Sequence, residues 1–202
     1  MKPSYLLVEG KDDKQFFQQL ALVLGIGDKL EVEAIHGRNN LRKTLRGLVK
    51  EQDLPQVLGI VMDADDSAEK TFQEIVETLK NIEDIELPVP KKPLVRSEGS
   101  SPFFVTVMIM PDTSGRMLED LFLELLKSDP VLGCIEDFLK CIQAQNIVIT
   151  DNDIPKFKMR SYFASRVGID IFSIHKWDMK EIEWEHPVFD TSKEFLRGLV
   201  SV

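Results

Sequence analysis

The sequence predicts an α/β protein, a mainly parallel sheet wound on both faces by helices, with a mostly helical C-terminal extension. Three observations lead there. Short apolar runs alternate with stretches whose apolar residues recur at helical spacing. The strand–turn–helix unit occurs twice within the first fifty residues. The run Val57-Leu-Gly-Ile-Val-Met62 is apolar on both faces, which suits the buried centre of a parallel sheet.

Taken in order, Tyr5-Leu-Leu-Val8 is the first strand and ends in Glu9-Gly10. Phe16, Phe17, Leu20, Val23 and Leu24 then mark an amphipathic helix. Leu30 to Ile35 alternates apolar and acidic residues as a half-buried strand does, and His36-Gly37-Arg-Asn-Asn40 leads into a second helix carrying Leu41, Leu45, Leu48 and Val49. Residues 56–62 form the central strand, with Asp63 at its carboxyl end. A third helix spans 68–81, turning Phe72, Ile75, Val76 and Leu79 inward, with Ser67 as its N-cap. Leu87 to Pro102, rich in Pro, Lys, Ser and Gly, is an excursion. Phe103 to Met110 is a strand and Leu118 to Leu126 a helix. Helices follow at Val131–Ala144 and Pro155–Val167, then a less regular tail from Ile171 that packs Trp177, Trp184 and Phe189. The division expected is an α/β core over residues 1–128 and a mostly helical cover over 129–202, packed on that core.

Composition narrows the function classes. At 202 residues, 43% hydrophobic and 29% charged, the chain has the make-up of a globular protein with a real core. No apolar run approaches the roughly 20 residues that cross a bilayer, and an acid stands too early for a secretory signal, so the expectation is a cytoplasmic protein with no membrane partner. Cys134 and Cys141 fall two turns apart on one helix, out of disulfide reach, and read as buried thiols. With 34 acidic against 25 basic residues the net charge is −9, which opposes nonspecific coating of nucleic acid unless positive residues cluster or metal ions bridge the phosphates.

The acids carry the chemistry. Glu9 and Asp63 both stand at carboxyl ends of parallel strands, the edge where open α/β sheets bind ligands. Asp63-Ala-Asp65-Asp66 adds further carboxylates, and such a crowd repels itself unless protons or a cation intervene. A hard divalent ion with oxygen ligands fits, so the expected cofactor is Mg²⁺, with Mn²⁺ as a substitute. Either motif alone has an ordinary reading, a turn acid or an acid at a helix start, and the two in order make the case. Gly10 and Gly37 each follow a strand and precede a helix, where a missing Cβ serves a tight turn or the close approach of a phosphate. Arg38, Arg42, Lys43 and Arg46 form either a solvated helix face or a guide for a phosphate backbone. His36, His175 and His186 lack metal-ligand spacing and read as structural or surface residues, and no Ser-His-Asp or Cys-His constellation or P-loop stands out.

Leu6-Leu-Val-Glu-Gly-Lys-Asp-Asp13 followed by Ile60-Val-Met-Asp-Ala-Asp65 resembles the signature of the TOPRIM domain, a Rossmann-like fold of topoisomerases, primases, recombination proteins and OLD-family nucleases. The core resemblance covers about residues 4–126. Met110-Pro-Asp-Thr-Ser-Gly115 with Leu118-Glu-Asp-Leu121 extends it toward a small stand-alone TOPRIM-like family, which is also where the C-terminal third finds its likeness. The resemblance implies that Glu9 binds metal or moves a proton and that Asp63 and Asp65 bind metal. From the OLD nucleases it implies a second acid at Asp13, a helix acid at Glu119 and an assisting base at Lys158 or Lys156. It further implies Mg²⁺-dependent phosphoryl transfer on nucleic acid, phosphodiester hydrolysis first. The alternative is a noncatalytic metal-dependent module binding nucleic acid or protein, as in the recombination proteins, and a small phosphorylated substrate is a third reading. A topoisomerase is disfavoured, because Tyr5 and Tyr162 are the only tyrosines and Tyr5 lies within the first strand. Oligomeric state stays open, a homodimer included.

Overall fold

A computed structural model describes residues 4–50, 55–82, 86–97, 104–111, 117–166 and 182–201. Four strands, β1 (Ser4–Val8), β2 (Leu30–Ala34), β3 (Val57–Asp63) and β4 (Phe104–Met110), form one sheet in the order β2-β1-β3-β4. Every neighbouring pair is parallel. Helices α1 (Lys11–Val23), α2 (Leu41–Lys50), α3 (Ala68–Lys80) and α4 (Leu118–Leu125) follow the four strands in turn, and α5 (Pro130–Ala144), α6 (Ile154–Ala164) and α7 (Asp190–Val200) make the C-terminal part. The mainly parallel sheet flanked by helices, with its helical extension, is therefore the observed architecture.

Alternation along the strands sorts the core into two layers. Leu6, Val8, Val57, Val61, Met108 and Met110 face one side, where α1, α4 and α7 cover them. Leu7, Leu58, Ile60, Met62, Val105, Val107 and Ile109 face the other, under α2 and α3. Because β3 is buried on both faces, its sequence has almost no polar position before Asp63. Ser67 caps α3 by accepting from the Lys70 N–H at 3.3 Å.

Within 86–97 the excursion guards the outer edge of the sheet. Leu94 N–H donates to Val107 O and Ser97 N–H to Val105 O, both at 2.8 Å, while the Ser97 hydroxyl accepts from Val105 N–H at 2.9 Å. Backbone groups of β4 that would otherwise invite another strand are thereby paired. On the other side of the sheet Phe16 packs on Phe17, Phe122, Trp184 and Phe189 at ring-centroid distances of 4.9, 5.8, 5.7 and 5.7 Å, which ties α1 to α4 and to the chain before α7.

Two expectations need correction. The less regular tail contains a helix, α7, whose Phe195, Leu196 and Leu199 are buried against the sheet, and Leu199 O accepts from the Ser4 hydroxyl at 2.7 Å. Cys134 and Cys141 are exposed. Helix α5 reaches the core through Ile135 and Leu139, and the cysteines lie to one side of that stripe. Trp184 and Phe189 pack as expected; Trp177, His175 and Asp112 to Gly115 lie outside the described residues. No helix among the described residues is long and apolar enough to cross a membrane.

Candidate functional site

From β1 the sheet extends to β2 on one side and through β3 to β4 on the other. Such a reversal opens a crevice outside the carboxyl ends of the two middle strands, and open α/β sheets place ligands there. Glu9 directly follows β1, Asp63 ends β3, and the two strands pair with Val8 beside Val61. Glu9 Oε2 accepts from the main-chain N–H of Asp63 at 3.4 Å. Residues 54 apart in sequence thus meet at one edge.

The turn after β3 continues the acidic rim. Ala64 N–H donates to Met110 O at 2.9 Å, tying the turn to the end of β4, and Asp65 takes a left-handed conformation at φ 47°. Asp13, in the first turn of α1, is buried and accepts from Gly10 N–H at 2.7 Å. Glu119 opens α4 on the same side. Burial first, then the charges of Asp13, Glu9, Glu119 and Asp65, push the Asp63 carboxyl up to about 9. Burial also raises Asp13 to about 6, against the Gly10 hydrogen bond, with Glu119, Glu9 and Asp12 adding to the rise. Glu119 is raised by burial, offset in part by its backbone hydrogen bond and by Lys156.

The other four acids expected at the site are therefore all within electrostatic reach of Asp63. Gly10 serves the start of α1, and a Cβ there would stand 3.1 Å from Asp13 Oδ2. Gly37 has φ 104° with open space around it, so conformation is what it supplies, and its N–H donates to Glu9 O at 3.0 Å. Of the basic cluster, Arg38 reaches the acidic edge: its Nη2 donates to Asp65 Oδ2 at 2.7 Å and to Asp63 O at 2.9 Å, 3.9 Å from Glu9 Oε2. Arg42 instead donates to Asn81 O on the exposed surface. Lys158 is turned to Glu136 and lines a cavity of about 980 Å³ with Asp120 and Glu124, whereas Lys156 is the lysine whose charge bears on Glu119. The sequence reading missed two participants. Asp12 adds its charge to Asp13 and Glu119, and Glu74 holds Arg38 Nη1 at 3.4 Å. An acid on an exposed helix face, such as Glu74, carries no signal in sequence.

No three His, Cys, Asp or Glu side chains among the described residues are grouped as a ready cage for a metal ion. The donor chemistry nevertheless fits a hard cation of the magnesium type, which takes one or two carboxylates and completes its shell from elsewhere. Every acid at the edge offers oxygen, and Asp63 Oδ1 is buried with no hydrogen-bond partner. Leaving such an atom unmatched costs about 1–3 kcal/mol or more when it is charged, and protonation or a cation relieves that cost. His36 is exposed, and His186 accepts from Val188 N–H as a local cap.

A family model described as a protein of unknown function (DUF3226) matches residues 3–201. No curated protein and no solved structure matches the chain.

Proposed function

The chain belongs to the DUF3226 family of proteins of unknown function, and from that footing we propose that its acidic edge holds a divalent cation, Mg²⁺ or in its place Mn²⁺, for phosphoryl transfer on a nucleic acid, with phosphodiester hydrolysis as the reaction. The observation that carries this reading is Asp63 Oδ1, buried and unpartnered at the crevice between β1 and β3 on a carboxyl group that feels the charges of four further acids. The TOPRIM-like order of Glu9, Asp63 and Asp65 in the sequence supports the same reading, and Asp13 and Glu119 stand where the OLD-type nucleases carry further acids.

In this proposal Asp63 and Asp65 would hold the cation, Glu9 would be either a further ligand or the general base, and Asp13 and Glu119 would support a second ion. A bound divalent ion supplies Lewis acidity at the phosphate and makes water a better acid. As the base, Glu9 would receive the proton that attacking water loses, its carboxylate being exposed enough to do so at 25% side-chain accessibility. The guanidinium of Arg38 orients the phosphate, and Gly37, whose N–H is given to Glu9 O, leaves open space for its approach. A lysine of α6, Lys158 or the nearer Lys156, offsets charge that develops on the leaving side.

Purified protein incubated with single- and double-stranded DNA and RNA in Mg²⁺ or Mn²⁺, beside an Asp63→Ala, Asp65→Ala control, tests the reaction. Cleavage that is at least a hundredfold slower in the control is the expected result, within the range of about 10²–10⁴ for loss of a polar catalytic group. Cleavage equal in both, or none in either, removes the nuclease reading. The net charge of −9 favours one alternative, a noncatalytic metal-dependent module that binds nucleic acid or protein. That module would show metal-dependent binding without turnover in the same samples.

A further inference from the structure

The guanidinium of Arg38 occupies the acidic edge by way of two bent loops. His36 and Gly37, immediately before it, have φ of 59° and 104°, and Asp65, its principal acceptor, has φ of 47°. Left-handed backbone at a non-glycine residue is held in place by its surroundings, and here the loops after β2 and β3 both adopt it where they meet. The side chain is 25% accessible. Its Nη2 donates to Asp65 Oδ2 and to Asp63 O with Glu9 Oε2 nearby, so one nitrogen serves three residues brought together by two strands. Nη1 keeps a longer contact with Glu74 on α3, and Nε is buried with no partner.

A guanidinium carries a charge that no physiological pH removes, and its fork is made for carboxylates. Where Arg38 lies, it neutralises part of the charge a divalent ion would neutralise. We propose that Arg38 is a built-in counter-cation that competes with the divalent ion for Asp65. This inference rests on the cation reading given above. Asp65 can serve both only by holding two cations within a few ångströms of each other, and charges that close repel one another. Entry of the ion therefore displaces Nη2 from Asp65. Glu74 keeps hold of Nη1, so the displaced guanidinium stays at the rim, with Nε and Nη2 open to an anionic ligand. Arg38 thus lowers the affinity for the free ion and leaves a phosphate contact in its place once the ion is seated.

Calorimetric titration of the whole chain with Mn²⁺ alone, at fixed pH and ionic strength, tests the competition. Wild type, Arg38→Gln, Arg38→Lys and an Asp63→Asn, Asp65→Asn control are compared, each with its thermal melt. Arg38→Gln binds about tenfold tighter than wild type, the size of one charge-assisted hydrogen bond no longer opposing the ion. Arg38→Lys, which keeps the charge without the fork, falls between them and serves if the glutamine variant does not fold. Equal or weaker binding by both Arg38 variants overturns the competition while leaving the cation site standing. Binding absent from wild type and Arg38 variants alike, or unchanged in the double-asparagine control, overturns the cation reading and this inference with it.

Discussion

Asp63 shows how one atom's surroundings set a property of the whole chain. In the unfolded chain both Asp13 and Asp63 ionise near pH 4, whereas in the fold burial and neighbouring acids hold the proton to about 6 on Asp13 and about 9 on Asp63. Between those limits the folded state binds more protons than the unfolded one, so this contribution to stability is whole below pH 4 and is lost as pH rises. The groups facing Asp63 are Glu9 after β1, Asp13 of α1, Glu119 of α4 and Asp65 beyond β3, with Arg38 as the positive counterweight at Asp65. Each extra proton in the folded state costs about 1.4 kcal/mol per pH unit, near 4 °C of Tm for a chain of this size. Wild type in chelator is expected to lose about that much per unit between pH 6 and 9, measured by scanning calorimetry. Asp63→Asn has no proton to lose and gives a flat profile over that range. A flat wild-type profile would mean that Asp63 is ionised and compensated at neutral pH without a cation.

At the scale of elements, what could be read in the sequence was what local pattern controls. The four strands were legible because their apolar residues alternate or run unbroken, and α1 to α6 because theirs recur at helical spacing. The placement of Glu9, Asp63 and Asp65 at or just beyond strand ends was legible for the same reason. Helix α7 was not: Thr191 and Ser192 in its first turn and Gly198 in its last weaken the local signal, and the sheet face beneath Leu196 and Leu199 supplies the rest. Nor could the pairing of β1 with β3, or the seat of Arg38, be read locally, because both depend on contacts across the fold. Gly59 makes that dependence testable. A Cβ there would lie 2.9 Å from methyl groups of Leu6 and Leu199, both fully buried. Gly59→Ala should destabilise by about 1–3 kcal/mol through overpacking. The same substitution at exposed Gly47, in α2 with nothing near its Cβ, should stabilise by about 0.5–1 kcal/mol. Urea unfolding of the two variants checks the opposite signs, and equal effects would show that α7 does not press on β3.

For the molecule as a whole, the sheet and the C-terminal helices draw on one apolar interior. Phe16 of α1 is fully buried between Phe122, Trp184 and Phe189, and the cluster that includes Leu6 and Val61 extends to Met159 and Phe163 of α6 and to Leu199 of α7. Asp129 joins the helical part internally, capping α5 through Val131 N–H at 2.9 Å, accepting from the Tyr162 hydroxyl at 2.9 Å and pairing with Arg166. Cutting the chain after residue 128 would therefore strip α7 from the sheet face that it shares with α1 and α4, and would take Met159, Phe163 and two of the four rings packed on Phe16, Trp184 and Phe189, out of the core. Fully burying one large apolar side chain contributes about 1.5–3 kcal/mol, and total stabilities of about 5–15 kcal/mol leave no room to lose several. A chain of residues 1–128 is expected to be aggregated, or to lack a cooperative melt, although it keeps every carboxylate of the acidic edge. Circular dichroism melts of 1–128 and of the full chain decide the matter. A sharp transition in the fragment within about 5 °C of the full chain, a difference of some 1–2 kcal/mol, would show that the core stands without its cover and that α7 contributes little to holding the acidic edge in place.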